Sequence, residues 1–130
     1  MLEAGVVLSL EGSPLYWHVP EGRTVGSLPD SRRLWEVLWH RRRDISGFAH
    51  SHPGATVVRP SHVDLTSFAA IEAAIGRRLV WPIVGARSMV RVRWGGPGRL
   101  DYRWLLAPRE PVWTGELRRL SETVRKEIAS

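Results

Sequence analysis

Two histidines one residue apart, His50-Ser51-His52, stand just before Pro53, and a short polar stretch, Pro60-Ser61-His62-Val63-Asp64, follows. Along a strand, residues i and i+2 face the same way, so His50 and His52 present two imidazoles side by side while Ser51 turns away. Pro53 ends the strand. Ser61 suits a helix N-cap, which sets Asp64 in the first turn, a fixed platform from which a carboxylate can be aimed back at the strand end. Two neutral imidazoles and a carboxylate are a donor set for zinc, at about 2.0–2.1 Å, and three protein ligands leave a position open, as in catalytic sites. A zinc ion so held polarises a carbonyl and lowers the pKa of water to about 7. The same residues have a plainer reading. A His-x-His pair is common, and Ser61-x-x-Asp64 ahead of an apolar stretch is close to a capping box, which needs no catalysis. His62 is expected to face solvent. His18 and His40, beside Trp17 and Trp39, read as packing or surface residues.

The elements that must position these groups follow from hydrophobic periodicity. Strands are expected over 5–10 and 15–19, joined by the turn Glu11-Gly12-Ser13-Pro14, with residues 20–30 irregular. A helix over 31–43 carries an apolar stripe of Leu34, Trp35, Leu38 and Trp39, and ends in Arg41-Arg42-Arg43, where cations suit the helix dipole. A strand over 45–50 brings in the first histidine, and a loop over 53–60 leads to a second helix over 61–77. That helix has a mostly apolar face of Leu65, Phe68, Ala69, Glu72, Ala73 and Ile75. Strands over 79–84, 88–94 and 100–106 follow, the middle one alternating Val90, Val92 and Trp94 with Arg91 and Arg93. Gly95-Gly96-Pro97-Gly98 is a turn and not a phosphate loop, because no Lys-Ser/Thr pair follows it. A last helix over 114–129 turns Leu117, Leu120, Val124 and Ile128 inward. Trp35, Trp39 and Trp81 are expected in the core, and core packing is the better reading of Trp94, Trp104 and Trp113 too. The order describes one domain over 1–130 of α/β (α+β) class, a sheet flanked by helices.

Composition narrows the chemistry. A chain of 130 residues can form one core without staples. There is no cysteine, which removes disulfides, thiolate metal sites and cysteine nucleophiles and leaves only His and carboxylates for a metal. No apolar run approaches a membrane span. The start, Met1-Leu2-Glu3-Ala4, has neither the basic stretch nor the apolar run of a signal peptide. A cytoplasmic protein without membrane contact is therefore expected. The net charge of +6 comes almost wholly from arginine, with Lys126 the single lysine, a pattern of genome-wide codon bias. Nucleic-acid binding is not expected, because no nucleic-acid motif accompanies the charge.

Taken together, His50-Ser51-His52-Pro53, a short loop and Pro60-Ser61-x-x-Asp64 resemble the signature of the JAMM/MPN family of zinc metalloproteases, in its small, stand-alone prokaryotic form. Gly47-Phe48-Ala49 resembles the family's strand entering the site, and the resemblance covers roughly residues 3–106. The loop from Pro53 to Pro60 is one residue longer than the family's usual spacing. The resemblance implies a single MPN-like domain of cytidine deaminase-like architecture, a mixed sheet flanked by helices. It implies Zn2+ on His50, His52 and Asp64, with Ser61 hydrogen-bonding the developing oxyanion. A Glu of the first strand then acts as general base and delivers the proton to the leaving amine. Glu3, Glu11, Glu21 and Glu36 are the candidates. Glu3 is chosen because the family's Glu begins a strand antiparallel to the His-bearing one; Glu11, about 25 Å away at 3.3 Å per residue, remains the competing position. The implied reaction is attack of metal-activated water on a peptide or isopeptide carbonyl. The implied substrate is the C-terminal tail of a ubiquitin-like or sulfur-carrier protein. A catalytically silent MPN scaffold that binds a protein partner is the alternative.

Overall fold

In the computed structural model, which describes the backbone of residues 1–129 and the side chains of residues 1–122, strands β1 (Gly5–Ser9) and β2 (Pro14–His18) form a hairpin. Helix α1 (Arg32–His40), strand β3 (Ile45–Ser51) and helix α2 (His62–Ile75) follow. Then come strands β4 (Trp81–Val84), β5 (Met89–Trp94) and β6 (Tyr102–Leu106), and helix α3 (Trp113–Ala129). The six strands make one mixed sheet in the order β2-β1-β3-β4-β5-β6. All pairs are antiparallel except β3 and β4, which run parallel. Parallel neighbours need a long crossover, and the crossover here contains α2.

Alternation of side chains divides the core into two. On one face, α1 and α2 cover the sheet through Leu34, Leu38, Phe68 and Ile75 against Val7, Phe48, Trp81, Ile83, Val90 and Val92. On the other, Trp113 and Leu117 of α3 pack on Ala4, Val6, Leu8, Ala49, Val84 and Met89. The protein is thus a mixed sheet between helices, of α/β class. Among the described residues no helix is long and apolar enough to cross a membrane.

One close approach depends on glycine. A Cβ on Gly47 would meet the Val80 carbonyl oxygen at 1.7 Å, so only glycine lets β3 lie against the start of the β4 chain. A second device is the buried carboxylate of Glu72 on α2. It accepts from the Leu79 N–H (2.8 Å), Trp81 Nε1 (3.0 Å), Arg78 Nη1 (3.0 Å) and the Tyr102 hydroxyl. Burial, then the facing Glu72 carboxylate, holds the Tyr102 phenol well above its usual pKa, so it stays a donor. One side chain thus ties α2 to the chain entering β4, to β4 and to β6, and every lone pair drawn inside is used.

The first two helices are shorter than the periodicity predicts. α1 stops at His40, because Arg41 leaves helical geometry and residues 41–44 turn into β3. α2 stops at Ile75, because Gly76 takes the left-handed conformation at φ 76°. The first strand stops at Ser9, and Leu10 is exposed in the turn. Two tryptophans expected in the core are not there. Trp39 is 50% exposed, with the Arg42 guanidinium 3.9 Å over its ring, and Trp104 is 42% exposed on β6. Both stand at positions whose period fits burial but over which no further element packs. Trp35 and Trp94 are partly buried against the core, while Trp81 and Trp113 are buried. Leu117 is buried and Leu120 packs against the same cluster; Val124 and Ile128 lie outside the described side chains.

Candidate metal centre

The centre is assembled at the C-terminal end of β3 and the N-terminal end of α2. β3 delivers His50 to the α2 face, against the edge of Phe68, and sends Ser51 through the sheet. There Ser51 Oγ accepts from the Ala4 N–H at 2.9 Å and meets Ser121 Oγ of α3 at 2.7 Å. His52 leaves the strand with its N–H on the Val84 carbonyl at 2.9 Å, which anchors it in line with His50.

Across the gap, Ser61 caps α2. Its Oγ accepts from the Asp64 N–H at 3.0 Å, and the Ser61 N–H donates to Asp64 Oδ2 at 2.9 Å. The capping box therefore exists, and it aims the carboxylate. Asp64 Oδ1 lies 3.3 Å from His50 Nε2 and Oδ2 lies 3.1 Å from His52 Nε2. The two Nε2 atoms are themselves 3.1 Å apart. A tetrahedral ion with bonds of about 2.0–2.1 Å holds its ligands roughly 3.3 Å apart. The side chains thus already stand at the separations such an ion needs, and His50, His52 and Asp64 could hold one. Burial works to raise the Asp64 pKa, but the hydrogen-bonded imidazoles of His50 and His52 and the Ser61 N–H outweigh it. The carboxyl is held well below its usual range.

Glu3 lies beside this group. Gly5 pairs with His50, and the Ser51 N–H donates to the Ala4 carbonyl at 2.9 Å, so the register continues to set Glu3 next to His52 on the same face. Its backbone is pinned by the Thr24 carbonyl at 2.7 Å and by Arg23 Nη1 at 3.1 Å. It is 7% exposed, yet among the described residues its carboxylate makes no hydrogen bond and no ion pair. Burial raises its pKa, the imidazoles of His50 and His52 pull it back, and the Asp64 charge raises it again; the net shift is upward. Of the other carboxylates considered from the sequence, Glu11 and Glu21 are exposed, the former in the turn at the far end of β1. Glu36 is engaged with Arg32 and Arg33 on α1.

Glu3, His50, His52, Ser61 and Asp64 open into a cavity of about 780 Å³. Its far walls are Leu28, Pro29, Leu34 and Trp35 on one side and Phe68 and Ile71 of α2 on the other. No protein-family model matches the chain, and no curated protein matches it. The reading of the site therefore stands on its own geometry.

Two parts of the site were not visible in the sequence. The segment over 20–30 reads only as irregular, but it forms a wall of the cavity. His18, which borders the cavity too, is 1% exposed; its Nε2–H donates to the Pro29 carbonyl at 2.6 Å, and its buried Nδ1 has no partner. Burial lowers its pKa against the pull of Pro29 and Asp30, so it is held neutral and fixes the wall. His62 and His40 are exposed.

Proposed function

We propose that this protein is a zinc-dependent hydrolase of peptide or isopeptide bonds, an MPN-like metallopeptidase. The observation that carries the reading is the Glu3 carboxylate, which among the described residues makes no hydrogen bond and faces the same cavity as three converged ligand atoms. A structural metal site needs no such group; a site that must move a proton does.

When bound, zinc supplies a Lewis acid that polarises a carbonyl and brings water within reach of deprotonation near neutral pH. His50, His52 and Asp64 would hold it. The sheet and the capping box fix all three side chains, so little reorganisation accompanies binding. Glu3 takes the proton of the attacking water and passes it to the leaving amine, acting first as general base and then as general acid. Ser61 uses an oxygen lone pair for the cap, which leaves its hydroxyl hydrogen to donate to the oxyanion as charge develops. The apolar wall opposite gives the substrate chain a surface to lie on. The substrate proposed is the C-terminal tail of a ubiquitin-like or sulfur-carrier protein, a flexible segment able to enter a cavity of this size.

The test is turnover of such proteins carrying a C-terminal extension or an isopeptide-linked amine, with zinc-loaded protein. Cleavage is expected for the wild type, with loss in Glu3→Gln while zinc stays bound. Binding without cleavage by the zinc-loaded wild type would instead support a silent scaffold.

A further inference from the structure

We propose that the outer edge of β6, with the arginines beside it, is a docking site for an extended protein segment that alternates acidic and apolar side chains. β6 is the last strand of the sheet and, among the described residues, pairs only with β5. The Ala107 N–H donates to the Met89 carbonyl at 2.8 Å. By the alternation of an antiparallel ladder, Arg103 and Leu105 also turn their backbone groups toward β5, and Trp104 and Leu106 turn theirs outward. Outward backbone on an edge strand is a template for another strand.

The side chains select what that strand must be. Trp104 pairs with Val92 and Leu106 with Val90, so both stand on the α1/α2 face, where they are 42% and 66% exposed. On the opposite face Arg103 lies directly across from Arg93, and Leu105 across from Arg91. Like charges directly opposed across a ladder destabilise it. Among the described residues no carboxylate forms an ion pair with Arg91, Arg93 or Arg103; the one hydrogen bond from Arg103 goes to the Gly96 carbonyl at 3.5 Å. α3 covers this face through Ala4, Val6, Leu8, Ala49, Val84 and Met89 and leaves the arginines open. A seventh strand would lay apolar side chains beside Trp104 and Leu106 and acidic ones beside Arg103, with Arg93 one strand further in. A second copy of this chain fits poorly, since two β6 strands would bring together two opposed arginine pairs on molecules of charge +6. The surface lies on the strand farthest from the hairpin edge and does not depend on the hydrolase reading.

The experiment is fluorescence anisotropy of a labelled octapeptide alternating Glu and Val, with a Lys-Val octapeptide as control. Saturable binding of the acidic peptide alone is expected, weakened at least tenfold by R93E/R103E. Leu106→Pro removes one outward N–H without touching the β5 ladder and should weaken binding as much at an unchanged melting temperature. If that variant does not fold, amide hydrogen exchange of the wild type reads the same contact, through protection of Trp104 and Leu106 on peptide binding. Absence of binding, or binding without that protection or indifferent to both variants, would overturn the proposal. So would tighter retention of a poly-deoxythymidine oligonucleotide than of the peptide, or a dimer through β6 in sedimentation.

Discussion

Asp64 serves two structures at once. Its Oδ2 closes the capping box with the Ser61 N–H and also faces His52. The two readings that compete in the sequence, a cap and a ligand, are one geometry. Replacing Ser61 by Ala should therefore cost about 0.5–2 kcal/mol in stability through the lost cap, read by denaturant unfolding. The same change should reduce turnover by roughly a hundredfold or more through the lost oxyanion donor. Glu3→Gln should lower turnover by about 10²–10⁴-fold and leave zinc content unchanged in a metal assay. His18 sets a pH dependence. Its folded pKa is depressed, so the unfolded chain takes up the proton first as pH falls. Stability is full above the ordinary histidine pKa of about 6.5 and declines below it until the folded form titrates. Melting temperatures from pH 7.5 to 5 should show that decline, and His18→Phe should remove it.

At the scale of elements, the site depends on how β1, β3 and α2 meet. The His-x-His alternation and the Ser61 cap are legible because strand period and capping are local rules. The strand and helix order is legible for the same reason. The antiparallel neighbour that sets Glu3 beside His52 can be inferred from sequence only through the family resemblance, since nothing in the residues of β1 names its partner. What is not legible is tertiary. Trp39 and Trp104 fit an apolar period, yet nothing lies over them, and the wall over 20–30 has no period at all. Glu72 shows the limit most clearly, a carboxylate on an apolar face whose four partners come from the chain around β4 and from β6. Glu72→Gln should cost about 1–3 kcal/mol for each donor left without a partner, measured by urea unfolding. Gly47→Ala should prevent the β3–β4 approach, read as loss of cooperative unfolding.

At the scale of the molecule, one sheet carries opposite faces with separate duties. The α1/α2 face holds the cavity and the centre, and the α3 face anchors β1 and β3 from behind through Ser51 and Ser121. The centre is rigid because both sides of the sheet brace the strand that carries its histidines. All of the proposed chemistry rests on a bound divalent ion. The direct measurement is metal content of the purified protein by mass spectrometry, after zinc loading and dialysis, beside His52→Ala. Close to one zinc per chain is expected for the wild type, with loss in the variant. No retained zinc in the wild type, or equal zinc in both, would contradict a metal centre at His50, His52 and Asp64.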